Sequence, residues 1–356
     1  MKKILLLMLC LVGFSAWAQK DEPLRIAVAG VAHGHLGNLT SQMRRGDYTV
    51  VAAWEENAAY RAKNDLVRRL PADKFYASLE EMLDKEKPEV VTAYGPIADH
   101  LRVVEACAPR GIHVMVEKPL ATNAKDARRI AALAKKYGIQ VMTNYETTWY
   151  ASNHLAKEMV DNGAVGPLRR INVYDGHEGP KEIGCSQMFL DWLTDPVLNG
   201  GGAVVDFGCY GANLATWLMK GQRPKSVYAV LQHNKPSVYP RVDDDATIVL
   251  EYPGTTVQIM ASWCWPRGRK DMYIYGDRGF LYQQNHNTLL LNDQPQDTKD
   301  VAQRTILDSY RYLKALVRGE ITEQPTDLSA LENNILVCEI LDAARKSAKT
   351  GKRTHP

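Results

Sequence analysis

The sequence predicts two unlike halves: a doubly wound parallel α/β domain, then an α+β domain built on a large, mostly antiparallel sheet. Three observations predict it. Short, almost continuously apolar strands alternate with helical stretches up to about residue 144, as in a parallel sheet covered on both faces. A glycine-bearing turn, starting at Gly30, follows the first of those strands. Beyond residue 145, longer strands succeed one another, separated by hairpin signals such as Tyr252-Pro253-Gly254 and Gly276-Asp277-Arg278-Gly279.

The chain opens Met1-Lys2-Lys3, runs apolar from Ile4 to Val12, and reaches Ala16-Trp17-Ala18 before Gln19. A basic start, a short apolar run and an Ala-x-Ala site match a secretory signal peptide, and the run is too short to span a bilayer. Cleavage after Ala18 is therefore expected, giving a periplasmic or secreted protein with no membrane attachment. Loss of Lys2 and Lys3 takes the net charge from +3 to +1.

Residues 24–29 (LRIAVA) form the first strand, and a helix is expected over about 33–45. Residues 48–54 form the second strand, closed by Glu55, and 58–69 read as helical. Ser78 and Glu81 have capping-box spacing, each side chain serving the other's backbone N–H. Residues 90–93 and 113–116 are strands around a helix at 99–110. An Ala-rich helix over 123–137, ended by Gly138, leads to a short strand at 140–142. The predicted division is 1–18 signal peptide, 19–144 nucleotide domain and 145–356 substrate and oligomerisation domain. The second part is read as helices at 152–162, 209–218 and 329–349, with strands at 226–232, 246–252, 255–262, 271–275 and 280–284.

Composition excludes several classes. Of 356 residues, 45% are hydrophobic and 24% charged, ordinary for a soluble globular chain and unlike a disordered, collagen-like or polytopic membrane protein. With 44 Lys+Arg against 41 Asp+Glu there is no basic excess to suggest nucleic acid as a partner. Cys107, Cys185, Cys209, Cys264 and Cys338 follow the signal segment without a C-x-x-C pair, so neither a zinc site nor a disulfide framework is indicated.

The chemistry lies in three motifs. The first is Gly30-Val31-Ala32-His33-Gly34-His35, in the place of a dinucleotide-binding G-x-G-x-x-G turn. Only Gly30 stands in register; Ala32 and His35 replace the later glycines. Glu55 sits where a ribose-binding acid belongs; it would accept from the ribose hydroxyls and repel a 2′-phosphate, favouring NAD over NADP. His33 and His35, two apart on a helix, would diverge, and no third ligand is visible, so no metal is expected. The second motif is Glu117-Lys118-Pro119, at the carboxyl end of a parallel strand, where open α/β sheets bind ligands. The third is Gly200-Gly201-Gly202-Ala203-Val204-Val205-Asp206-Phe207-Gly208-Cys209-Tyr210-Gly211-Ala212-Asn213.

In combination these motifs resemble the Gfo/Idh/MocA oxidoreductase family, in the branch of glucose-fructose oxidoreductase and dihydrodiol dehydrogenase, where a tyrosine stands in place of the more usual histidine. Gly163-Ala164-Val165-Gly166-Pro167 before a strand, Trp192 with Asp195-Pro196, and Gly276-Asp277-Arg278-Gly279-Phe280 extend the match over nearly all of the chain after the signal segment. The resemblance implies a Rossmann domain followed by an open-faced sheet that forms a homodimer or homotetramer. It implies catalysis by Tyr210 with Lys118 and Asp206. A nucleotide would meet Gly30, Ala32, His33, His35, Glu55, Gly95, Pro96, His100, Glu117 and Lys118. A sugar or glycoside would meet Tyr145, Trp149, His177, Trp192, Asp206 and Asn213, with aromatic rings stacking on its C–H faces.

Oxidising a hydroxyl removes a hydride from carbon and a proton from oxygen; the cofactor takes the first and the protein must handle the second. A free tyrosine, with pKa about 10, needs roughly 4 kcal/mol of phenolate stabilisation to titrate near 7. A cation within ~4–6 Å supplies 1–3 units, the part expected of Lys118. Two other readings fit the same motifs: an NAD-dependent glycosidase or lyase working through transient oxidation, and a sugar-binding protein with a decayed nucleotide site.

Overall fold

A computed structural model describes residues 22–356; the expected signal segment lies outside them. The first sheet has six parallel strands in the order β3-β2-β1-β4-β5-β6. They are β1 (Leu24–Ala29), β2 (Tyr48–Trp54), β3 (Phe75–Tyr76), β4 (Val90–Ala93), β5 (His113–Glu117) and β6 (Val141–Asn144). Strand order reverses between β1 and β4, so a crevice opens beyond their carboxyl ends. Helices α1 (Leu36–Gln42), α2 (Ala58–Lys63), α3 (Leu79–Glu86), α4 (His100–Cys107) and α5 (Ala124–Tyr137) connect them.

Local chemistry sets the helix ends. The Asn123 side chain accepts from Asp126 N at 2.9 Å to start α5, and Gly138, at φ 67°, ends it. Ser78 caps α3 by accepting from Glu81 N at 3.2 Å, but the return half of the box is missing because Glu81 turns to Lys85, 2.7 Å away. The helix expected from residue 33 starts instead at Leu36, so His33 and His35 lie in the turn before it.

Two apolar layers cover the sheet. One is made by α3, α4 and α5 through Leu79, Met82, Val103, Val104, Ile130 and Leu133. The other is incomplete with α1 alone, which buries Leu36, Leu39 and Thr40. It is finished by α11 (Ser309–Val317), whose Tyr310, Leu313 and Leu316 pack against Val28, Val90 and Tyr94. A stretch placed by sequence in the second domain thus closes the first, because a seven-residue helix is too short to cover that face.

The second sheet has eight strands, ordered β14-β13-β12-β11-β7-β10-β9-β8. They are β7 (Leu168–Gly176), β8 (Ser226–Gln232), β9 (Asp245–Tyr252), β10 (Thr255–Ser262), β11 (Arg269–Gly276), β12 (Phe280–Asn285), β13 (Thr288–Leu291) and β14 (Gln294–Gln296). All neighbours are antiparallel except β7 and β10. The remaining helices are α6 (Ala151–Asp161), α7 (Gln187–Leu193), α8 (Ala203–Asp206), α9 (Gly208–Leu218), α10 (Lys299–Arg304) and α12 (Leu331–Thr350). One face, carrying Ile171, Val173, Val257, Ile259, Met272 and Ile274, is buried against the apolar residues of α9 and α12. Helix α9 lies close on it: a Cβ on Gly211 would stand 2.3 Å from Ile259 Cγ2. That glycine lets the helix bearing Tyr210 sit against the sheet. The five cysteines after residue 21 are all free thiols.

Candidate active site

The crevice at the strand reversal is shaped by two backbones in contact. Gly30 has φ +78°, and a Cβ there would lie 2.6 Å from Gly95 Cα, so the first turn needs glycine. Gly30, Ala32, Glu55, Gly95 and Pro96 line a cavity of 230 Å³ together with Trp54, Tyr60, Asp99 and Asp191. Glu55 is held by backbone donors, Oε2 accepting from Val31 N at 3.2 Å and Oε1 from Asn57 N at 2.9 Å. Burial raises its pKa above the ordinary carboxylate value. The Tyr60 hydroxyl donates to Asp191 Oδ2 across the cavity. Glycines at close approach, an acid at the end of β2 and a hollow between them fit an adenine-ribose unit.

His33, His35 and Glu117 come together rather than diverging, because the turn replaces the expected helix. The His33 and His35 rings are 4.6 Å apart, and His35 Nδ1 is 2.8 Å from Glu117 Oε2. Their potential ligand atoms lie within 4.8 Å of one another, a cluster sequence spacing did not reveal. These atoms are already engaged: His33 Nδ1 accepts from His35 N at 3.1 Å, and Glu117 Oε1 accepts from Asn144 Nδ2 at 2.8 Å. Burial, reinforced by His35, keeps the His33 imidazole pKa well below its usual range. His100 is fully buried, with Nδ1 3.1 Å from the Leu120 carbonyl oxygen, so it supports the loop after Lys118 from beneath instead of facing the crevice.

Lys118 emerges from the end of β5 toward α8 and α9. Its ammonium bonds Asp206 Oδ1 and donates to the Asp206 carbonyl at 2.8 Å. Asp206 Oδ2 accepts from Trp263 Nε1 at 2.9 Å. Burial opposes the charge on both groups, yet mutual attraction outweighs it; Asp206 is held below the ordinary carboxylate value and Lys118 above the ordinary lysine value. An ammonium has three donors, so one remains for a substrate oxygen.

The Tyr210 ring lies beside this pair, its centroid 5.0 Å from Lys118 Nζ and 4.6 Å from Lys270 Nζ. The expected downward shift of its phenol is not what the surroundings produce. Burial, then Glu146, Asp175, Cys209 and Asp206, push the phenol well above 10, while Asp206 absorbs the charge of Lys118. Tyr145 packs edge-on to Tyr210 at 5.4 Å. His177 stands against Phe207 at 5.0 Å, and burial lowers its imidazole pKa.

Three residues assigned to substrate by sequence belong elsewhere. Asn213 is buried and donates to Leu328 O at 2.8 Å, tying α9 to the loop before α12. Trp149 donates to Asn144 Oδ1 at 2.9 Å and packs at a tilt against Tyr312, in a separate crevice with His154 and Trp217. Trp192 packs at 5.5 Å from His33 and lines the nucleotide cavity. Conversely, Asp175, Lys270 and Glu146 were missed. For the first two the signal is a charge at an inward position of an alternating strand: Asp175 shares the face of Ile171 and Val173, and Lys270 that of Met272 and Ile274, whereas Glu146 sits in a 3-10 turn and has no such signal.

A parallel sheet with a glycine-walled crevice thus lies beside a buried lysine–carboxylate pair and a tyrosine. The chain belongs to the Gfo/Idh/MocA family: the family model for the NAD-binding Rossmann fold of these oxidoreductases matches residues 24–145, and that for the GFO/IDH/MocA C-terminal domain matches 154–282. Among curated proteins, trans-1,2-dihydrobenzene-1,2-diol dehydrogenase from Bos taurus is 26% identical over 229 residues, covering 64% of this chain and 64% of the relative, somewhat less than two thirds of its length. Two solved structures share the fold. One is aldose-aldose oxidoreductase from Caulobacter crescentus complexed with glycerol, with TM-score 0.74 and 20% identity over 94% of this chain and 100% of the other. The second is the WlbA dehydrogenase from Chromobacterium violaceum in complex with NADH and UDP-GlcNAcA, with TM-score 0.78 and 21% identity over 94% of this chain and 96% of the other.

Proposed function

We propose that the protein interconverts a hydroxyl and a keto group on a sugar or glycoside with NAD, Tyr210 handling the proton and Lys118 holding the reacting oxygen. The carrying observation is the Tyr210 ring beside the Lys118–Asp206 pair, at the strand end next to the nucleotide crevice. The diol-acting relative and the aldose-acting neighbour support this substrate class. Bound NAD would supply the hydride acceptor or donor. Asp206 fixes the Lys118 ammonium through two bonds, and the free third donor meets the substrate oxygen, stabilising negative charge as it develops. In the reducing direction the buried phenol is already in its donating form. In the oxidising direction the hydroxyl proton passes to the Tyr210 phenolate, a form that burial and the surrounding carboxyl groups disfavour. Formation of NADH, or its consumption, with a panel of sugars and keto-sugars tests the reading; a chain that binds NAD and turns over neither would overturn it.

NAD in preference to NADP is part of the proposal. The cavity is lined by the carboxyl groups of Glu55, Glu56, Asp99 and Asp191, with no lysine or arginine in its lining to receive a 2′-phosphate. Glu55→Gln removes the acid while keeping the shape. The ratio of NADP to NAD dissociation constants, measured by fluorescence titration, is expected to fall at least tenfold. An unchanged ratio would place the ribose elsewhere.

The export signal and a homo-oligomeric state are proposed on separate grounds. Outside the cytoplasm free NAD is scarce, so a working cofactor must be retained tightly and recycled by a second substrate. Chromatography of denatured protein isolated from the periplasm is expected to release close to one nucleotide per chain; none would count against retention. The outward face of the second sheet carries the stacked rings of Tyr273, Tyr275 and Tyr282, with Tyr228 and Val230 exposed. Such an apolar face supports pairing with a second copy.

A further inference from the structure

We propose that Asp175, Lys270 and Glu146 form a second polar subsite at the Tyr210 ring, beside the Lys118–Asp206 pair, and that it takes the neighbouring hydroxyl of an uncharged vicinal diol. The proposal rests on the redox reading above and adds the class of substrate.

Asp175 and Lys270 are direct partners in the antiparallel pairing of β7 and β11, on the sheet face toward the helix that carries Tyr210. The Lys270 ammonium pairs with Glu146 Oε2, and the Tyr150 hydroxyl donates to Glu146 Oε1. The Tyr210 centroid is 4.6 Å from Lys270 Nζ and 5.0 Å from Lys118 Nζ, so two ammonium groups attend one ring. One of them serves the reacting oxygen; the other has no part in that step and needs a second reason to be there.

Asp175 supplies it. The residue is 1% exposed, and its Oδ1 has no hydrogen-bond partner among the described residues. A buried polar atom left without a partner is costly, so a carboxyl retained in this state implies a partner that arrives with substrate. Burial pushes the carboxyl pKa well above its ordinary value, against the pull of Lys270. A carboxyl oxygen accepts from an alcohol hydroxyl, a donor that a substrate carboxylate lacks. Both ammonium groups at the ring are already matched, Lys118 by Asp206 and Lys270 by Glu146. A substrate carboxylate would enter beside Asp175, Asp206 and Glu146 without a free cation to meet it. A neutral ring with adjacent hydroxyls places one oxygen on Lys118 and the next at Asp175.

The test uses the full mature chain loaded with NAD. Kinetics are measured on D-glucose, D-galactose and D-mannose against D-glucuronate and D-galacturonate. The neutral sugars are expected to have at least tenfold higher kcat/KM. Asp175→Ala and Lys270→Met should each raise KM at least tenfold while kcat falls less than threefold, and Asp175→Asn should recover most of the affinity lost in Asp175→Ala. Melting temperature and NAD affinity report that each variant is folded and loaded. Uronates used as well as hexoses, or an unaltered KM in a folded Asp175→Ala protein, would overturn the subsite. If none of the sugars reduces NAD, the redox reading fails on its own, and saturation-transfer NMR with the same sugars reads the subsite directly. A hexose signal lost in Asp175→Ala supports it; a signal that persists, or no signal with the wild type, overturns it.

Discussion

Replacing Lys118 by alanine is expected to lower turnover at least a hundredfold in either direction, measured as NADH formed or consumed at saturating sugar. The residue supplies the one donor left over from its two bonds to Asp206, and a positioned proton-handling or charge-stabilising group typically contributes ~10²–10⁴-fold. The same change removes one half of a buried ion pair. Leaving a carboxylate uncompensated costs about 3–5 kcal/mol, so Lys118→Ala should also lower the denaturant midpoint. Lys118→Met with Asp206→Asn separates the two effects, since the pair is replaced by neutral groups of similar size. That double variant should regain most of the stability and none of the activity. Asp206 is held below its ordinary pKa and Lys118 above, so the pair stabilises the fold from about pH 4 to about pH 10 and its contribution is lost on either side. Near-normal turnover in a folded Lys118→Ala protein would remove this residue from the mechanism.

Tyr210→Phe is expected to reduce turnover by a similar factor, at least a hundredfold, with NAD affinity and melting temperature little changed. It deletes a single hydroxyl while keeping the ring packed against Tyr145 and beside the two ammonium groups. The pH profile carries the sign. Because the buried phenol is pushed well above 10, oxidation, which needs phenolate, should climb with pH without a plateau below about pH 10. Reduction, which needs phenol, should stay flat over that range. A wild-type oxidation profile that levels near neutrality would mean that the phenol is far more acidic than its surroundings allow, or that another group takes the proton.

Much of the first domain was legible because its signals are local. Strands β1, β2, β4 and β5 are largely apolar runs, Gly138 ends α5, and Glu55 and Glu117 fall where β2 and β5 end. The loss of the expected helical turn at His33 was not legible. Two histidines and a glycine carry no capping signal, and His33 is held by Tyr94, Phe189 and Trp192, which are remote in sequence. Lys118, Asp206 and Tyr210 were found through their motifs. Asp175 and Lys270 were overlooked because a charge within an apolar strand reads first as a solvent-facing position. Only the register of β7 with β10 and β11 turns both inward.

By itself the sequence determined the succession of a parallel α/β unit and a largely antiparallel one, and singled out the lysine, aspartate and tyrosine of the proposed chemistry. Periodicity, glycines and caps act over a few residues, and motif spacing survives without coordinates. The tertiary structure alone decided that α11 closes the first sheet, that Asn213 and Trp149 turn away from the cleft, and that two ammonium groups stand at the Tyr210 ring. Those outcomes depend on burial and on charges contributed by distant segments. Asp206, 88 residues from Lys118, takes up the charge that was expected to acidify the tyrosine. The direction of a pKa is set by that sum of neighbours, which no local spacing contains.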